Sequence, residues 1–258
     1  MKITTYNINS VRARIHLLVD FLNAEKPDVV CLQEIKCMED QFPLAEIEAA
    51  GYQASIAGQK AYHGVAILSK TPITTISKTI GDEQARYIEA DINGVRVINI
   101  YAPNGNPLGT EKFPYKLDWL NRLATRMQAL LDDEVPFVVT GDYNIIPEEL
   151  DAQFPKAWVD DALFQPESRA MYRQFMGMGL TDALRMFHPE GGLYTFWDYQ
   201  GGAWERNNGI RIDHFLMSPQ ITDRCTGIVI HKDERTREKA SDHVPVSMTI
   251  SMPSKATS

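Results

Sequence analysis

Apolar positions along this chain follow two periods, and stretches of the two kinds alternate. Lys2–Asn7 reads as a strand, and Ile15, Leu18, Val19 and Leu22 then recur at helical spacing, predicting a helix over 12–24. Pro27 introduces an apolar run over 28–33, a buried strand, and 64–69 is another. Strands over 86–91 and 95–101 flank Asn93-Gly94, a strong two-residue hairpin signal. Leu117, Leu120, Ala124, Met127 and Leu131 mark a long amphipathic helix. A buried strand over 136–140 closes on Gly141-Asp142, and a helix is expected over 166–178. Further strands are expected over 193–197, 210–217, 225–231 and 244–250. Hairpins mixed with helix-separated strands predict a mixed sheet system covered by helices. The pattern leaves open whether that system is one sheet or two. A single domain over 1–252 and a disordered tail over 253–258 are expected.

Polar residues of one chemical kind follow the apolar runs. Asn7 and Asn9 end the first strand, Glu34 follows 28–33, and Asp142 and Asn144 follow 136–140. Asp213 lies within 210–217, and Asp242-His243 precede 244–250. Residues two apart in extended chain share a face, so Asn7 with Asn9, Asp142 with Asn144, and Arg211 with Asp213 are expected to point alike. Carboxylate and amide oxygens are hard ligands suited to Mg²⁺ or Mn²⁺. Each position also has a bland reading: Asn and Asp after strands are common turn formers, Asp242 a cap, His243 a core histidine. Together they support a metal-assisted hydrolase.

The net charge of −8 is unlike the basic footprint of a tight nucleic-acid binder, but clustered carboxylates holding a cation would contribute to it. The cysteines, Cys31, Cys37 and Cys225, are odd in number and form no disulfide framework or zinc spacing. The N-terminus lacks a signal-peptide pattern and no apolar run is long enough to span a bilayer, so a cytoplasmic setting is expected.

A series of motifs then carries a resemblance. It begins with Asn7-Ile8-Asn9, Arg12-Ala13-Arg14 and Leu32-Gln33-Glu34-Ile35-Lys36. Asn99-Ile100-Tyr101-Ala102-Pro103-Asn104-Gly105, Phe113-Pro114-Tyr115-Lys116 and Gly141-Asp142-Tyr143-Asn144-Ile145 follow. Tyr194-Thr195-Phe196-Trp197-Asp198-Tyr199, Asn208-Gly209-Ile210-Arg211-Ile212-Asp213 and Ser241-Asp242-His243 complete it. In that order, over nearly the whole chain, they resemble the exonuclease III family of abasic-site endonucleases, in the endonuclease/exonuclease/phosphatase superfamily. The resemblance implies a four-layered α/β sandwich, with two mixed sheets face to face and helices outside.

It further implies Glu34 as main ligand of Mg²⁺ (or Mn²⁺), with Asn9, Asp242, Asp142 and Asn144 in the metal environment. Asp142 would position or deprotonate the attacking water, oriented by Asn7 and Asn144. His243, held by Asp213, would donate to a phosphate oxygen, with Tyr115 near the leaving group. Phe196, Trp197 and Ile210 match the segment lining an abasic-sugar pocket, and Arg12, Lys112, Lys116 and Arg211 are candidate phosphate contacts. The implied partner is duplex DNA with abasic sites or 3′ ends, bound by a monomer needing no other protein. Other superfamily phosphoesterases, such as inositol phosphatases, and a non-catalytic DNA-binding relative are the alternatives. Loss of Glu34, Asp142, Asp213 or His243 would mark the latter, and all four are present.

Overall fold

The computed structural model describes residues 1–252, so the expected disordered tail lies outside the described residues. In chain order, the first part contains β1 (Lys2–Asn7), α1 (Val11–Glu25), β2 (Val29–Gln33), α2 (Leu44–Ala49), β3 (Gln53–Ala57) and β4 (Val65–Ser69). The middle adds β5 (Thr74–Ser77), β6 (Tyr87–Ile92), β7 (Val95–Tyr101), α3 (Lys112–Asp132) and β8 (Phe137–Asp142). The last part holds α4 (Pro166–Gly177), β9 (Thr181–Asp182), α5 (Ala183–Phe187), β10 (Asp213–Met217), α6 (Pro219–Thr222), β11 (Cys225–Ile230) and β12 (Val246–Ile250).

Two six-stranded sheets form, ordered β11-β12-β1-β2-β4-β3 and β5-β6-β7-β8-β10-β9. Each is mixed, because β1 pairs with β2 in parallel and β7 with β8 in parallel, while their other pairings are antiparallel. The inner faces share one apolar core: Ile3, Val29, Cys31 and Ile67 from the first sheet pack with Ile88, Val97, Val138 and Phe215 from the second. Outside the first sheet, Leu18, Leu22 and Ile47 of α1 and α2 cover Tyr6, Val30, Leu32 and Leu68. Outside the second, Trp119, Leu123, Met127 and Phe175 of α3 and α4 cover Ile98, Ile100 and Val139. The layers are therefore helix, sheet, sheet, helix, which resolves the choice that hydrophobic pattern alone left open. Asn93 and Gly94, at φ 52° and 76°, make the predicted hairpin turn between Ile92 and Val95.

The differences from the predicted elements have physical causes. Strands β3 and β5 close the edges of their sheets, and their segments Gln-Ala-Ser-Ile-Ala and Thr-Thr-Ile-Ser carry few large apolar residues because one flank is open. Residues 193–197 are not a strand; Phe196 makes only isolated bridges to Ile210 and His243. The expected strand over 210–217 begins at Asp213, since Ile210, Arg211 and Ile212 are drawn into other contacts. Helix α3 starts five residues before Leu117, at Lys112.

Topology gathers the chemistry at one end of the sandwich. Strands β1, β2 and β8 all finish there, and β10, antiparallel to β8, starts there with Asp213 opposite Asp142. Strand β12 runs antiparallel to β1, so the segment before it, with Asp242 and His243, arrives at the same end.

Candidate active site

Asn7, at the end of β1, spans the gap between the sheets. Its Nδ2 donates to Glu34 Oε1 at 2.9 Å and to Asp142 Oδ2 at 3.0 Å. One buried carboxamide thus fixes a carboxylate from each sheet. The carbonyl of Asn7 is held in turn by the Ser241 hydroxyl at 2.7 Å, which ties the Asp242-His243 segment to the same strand end.

The expected same-face pairs are corrected by turns. Asn7 Oδ1 accepts the amide N–H of Asn9 at 3.2 Å, and Asp142 Oδ1 accepts that of Asn144 at 2.9 Å. Both third residues take left-handed backbone, with φ 46° at Asn9 and 49° at Asn144, as Asn tolerates. The chain therefore bends back at each strand end instead of continuing extended. Asn9 Nδ2 consequently donates to Asp242 Oδ1 at 3.0 Å, and Asn144 Nδ2 to the Ala102 carbonyl at 2.9 Å. Arg211 and Asp213 likewise part company, as their partners below show.

His243 is buried with its Nδ1 2.9 Å from Asp213 Oδ2, which makes Nδ1 the donor, and Nε2 faces Asp142 Oδ2 at 3.7 Å. Asp213 Oδ2 also accepts the Thr195 hydroxyl at 2.6 Å. The ring of Phe196 stands edge-on to the imidazole, centroids 5.0 Å apart. Burial alone would lower the His243 pKa, but Asp213, Asp142 and Asp242 lift it well above the ordinary imidazole range, to about 10. Asp142 is pushed up by burial and by Asp213 and Glu34, against the pull of His243. Glu34 moves the other way: burial opposes ionisation, but Lys36 and the Asn7 hydrogen bond hold its carboxyl below the usual range.

Ligand atoms of Glu34, Asp142 and His243 lie within 4.8 Å of one another. The Lys36 ammonium meets Glu34 Oε2 at 2.9 Å and Asn9 Oδ1 at 2.6 Å, so a cation already bridges those two oxygens. An oxygen-rich set drawing in a positive charge fits a hard divalent ion. A cleft of about 300 Å³ opens over the cluster, walled by Phe196, Leu163, Ile212 and Trp158 and by the polar groups of Asn104 and Asn144. A second cavity of about 350 Å³ adjoins it through Tyr101 and Asn104 and is lined by Arg86, Lys112 and Tyr115.

The remaining sequence candidates divide. Arg12 and Lys112 are exposed. Tyr115 lines the second cavity and donates its hydroxyl to Asp82, so it stands beside the cluster and not within it. Phe196 walls the cleft, whereas Trp197 is wholly buried against Tyr194 and Val244, a core role. Ile210 is also wholly buried and sits behind the wall, packed with Leu163 and Ile212, which take the expected lining position.

Two phosphate contacts are overturned by burial. Arg211 is enclosed, its guanidinium bound to Asp151 and Asp182, and cannot reach a backbone outside. Lys116 has no exposed surface, its ammonium meets only backbone carbonyls, and burial pushes it down to about 7 against Asp161 and Asp142. The sequence reading missed Lys36, Thr195, Asn104, Leu163 and Trp158. Lys36, Asn104 and Thr195 stand within motifs of the resemblance, and Lys36 follows Glu34 by two residues; Leu163 and Trp158 carried no signal.

The family described as the Endonuclease/Exonuclease/phosphatase family matches residues 4–243. Exodeoxyribonuclease III of Haemophilus influenzae is 36% identical over 262 residues, covering 95% of this chain and 98% of its own. An exodeoxyribonuclease of Bacillus subtilis is 31% identical, covering 98% of this chain and 100% of its own. An AP endonuclease from Archaeoglobus fulgidus superposes with TM-score 0.94 at 36% identity, covering 98% of this chain and 100% of that one. The 3′ phosphatase NExo from Neisseria, solved with a product DNA hairpin, gives the same TM-score of 0.94, identity of 36% and coverages of 98% and 100%. On this evidence of sequence and shape together, the chain belongs to the endonuclease/exonuclease/phosphatase family, on the branch of exodeoxyribonuclease III and the AP endonucleases.

Proposed function

We propose that this chain is a DNA repair nuclease that hydrolyses phosphodiester bonds, incising 5′ to abasic sites and removing nucleotides or blocking groups from 3′ ends. The observation that carries the reading is the constellation itself: Asp142 and His243 face each other across 3.7 Å, held by Asn7 and Asp213, beside Glu34. Names of the matched relatives support DNA as the substrate.

The roles follow from the hydrogen bonds. Asp142, with its carboxyl raised by burial, accepts the proton of a water attacking phosphorus. Asn7 holds the carboxylate oxygen that faces His243, and Asn144 turns its carboxamide over the cleft. His243, kept charged by Asp213, donates from Nε2 to a phosphate oxygen and stabilises the charge that builds there. Glu34, Asn9 and Asp242 would hold Mg²⁺, with Mn²⁺ able to replace it, and Asp142 and Asn144 lie next to that set. When bound, the cation neutralises phosphate and leaving-group charge. Tyr115, Arg12 and Lys112 serve the flanking nucleotides, and Phe196, with Leu163 and Ile212, receives the sugar. The product of cleavage at an abasic site carries a 3′-hydroxyl.

No helix among the described residues is long and apolar enough to cross a membrane. A cytoplasmic monomer acting on duplex DNA completes the reading. Two assays with Mg²⁺ test it: one duplex with a single abasic analogue, one blunt duplex labelled at its 3′ end. Incision of the first alone means an endonuclease, and digestion of the second a 3′→5′ exonuclease. Failure on both, with phosphate released from an inositol phosphate, overturns the reading.

A further inference from the structure

Lys116 stands in the first turns of α3 with no solvent exposure, a costly place for an ammonium. Its Nζ donates to the carbonyls of Asn104 at 3.1 Å, Asn144, and Ala162 at 3.4 Å. An ammonium has three N–H donors and no acceptor, so these carbonyls satisfy it fully. They come from two connections: Asn104 follows β7, while Asn144 and Ala162 stand near the two ends of the segment between β8 and α4. Both also wall the catalytic cleft, the first through Asn104 and the second through Asn144, Asp161 and Leu163.

The loops press on the lysine stem as well. Gly105 has φ +92°, and a Cβ there would lie 2.8 Å from Lys116 Cδ and 3.1 Å from the Ala162 Cβ. The same two loops are cross-linked by their carboxamides, since Asn104 Nδ2 donates to Asn144 Oδ1 at 3.3 Å and Asn144 Nδ2 to the Ala102 carbonyl.

We infer that Lys116 is a positioning residue, whose ammonium draws the loop after β7 and both ends of the β8–α4 connection onto one point and so sets the Asn144 carboxamide against the reacting phosphate. This rests on the nuclease reading above and goes beyond it, because no atom of Lys116 reaches the cleft surface.

The test compares Lys116→Met and Lys116→Gln with the unaltered protein, measuring kcat and KM on the abasic duplex, the salt dependence of binding, and the melting temperature. The Met variant is expected to lose about tenfold or more in kcat, with KM changed less than about threefold and the salt slope unchanged. Gln keeps two donors and is expected to recover at least about threefold of that loss. A folded Met variant with kcat within about twofold of normal overturns the inference, whether or not its melting temperature falls. So does a loss confined to KM with the salt slope reduced by about 1, the behaviour of a lysine on a DNA phosphate. If Met does not fold, Gln decides: lower kcat at constant KM supports the inference, and normal kcat overturns it. Absence of turnover in the unaltered protein counts against the nuclease reading instead.

Discussion

Asp213 and His243 meet at a single carboxylate oxygen: Oδ2 accepts both the imidazole Nδ1–H at 2.9 Å and the Thr195 hydroxyl at 2.6 Å. The ring is thereby fixed in one tautomer and one orientation, with Nε2 free to face Asp142. Replacing His243 by Ala is expected to lower kcat by about 10²–10⁴-fold. Asp213→Asn keeps the shape, loses the charge, and is expected to give a smaller drop in kcat with a melting temperature close to normal. Near-normal turnover in either purified variant removes the pair from the mechanism.

Glu34 and Lys36 make opposite predictions for the cation. Glu34→Gln removes an anionic oxygen from the set and is expected to raise the Mg²⁺ concentration for half-maximal activity by about tenfold or more. Lys36→Met removes the ammonium that competes for Glu34 and Asn9, so Mg²⁺ should bind more tightly to the metal-free variant. Isothermal calorimetry reads both. Weaker binding in Lys36→Met would mean the lysine supports the ion instead of standing in for it.

Arg12, exposed after the first strand end, is proposed to contact a DNA phosphate. Its replacement by Ala should weaken binding uniformly across sequences and reduce the slope of log K against log salt by about 1. An unchanged slope assigns Arg12 to ordinary surface charge.

His214 gives the pH dependence of stability. It is buried beside Arg211, which lowers its pKa from 6.5 to about 3, with burial the larger cause. Its Nε2 donates to the Ile145 carbonyl at 3.0 Å, and a second proton has no place. As pH falls below 6.5 the unfolded chain takes up this proton and the folded protein does not, so stability declines. The contribution between pH 7 and pH 5 is about 2 kcal/mol. Urea unfolding at the two pH values should show that loss, and His214→Gln should reduce it. An equal loss in the variant would place the effect on other groups.

Much of the site was legible because its members punctuate apolar runs. Asn7 and Asp142 end strands buried but for Lys2, and Glu34 follows a wholly buried one, so their polarity at that point asked for a reason. What could not be read was direction. Lys116 occupies a position in α3 that looks like solvent-facing charge, and only the loops folding over it take it inside. Arg211 is claimed by Asp151 and Asp182, sixty and twenty-nine residues away, and no local pattern announces such partners. The Asx turns at Asn7 and Asp142 were written in the residue types, yet strand alternation was extended past the point where those side chains capture the backbone.

Strand β1 lies between β2 and β12, and the Met1 ammonium donates to the Ile250 carbonyl at 2.7 Å. Strand β1 therefore has one neighbour close in sequence and another far along the chain. On a ribosome, Asn7 and Glu34 emerge long before Asp242, His243 and the strand β12 that follows them. With Asp242 and His243 in the proposed roles, the centre is incomplete until β12 pairs with β1, so cleaving power is expected to follow that late, long-range pairing.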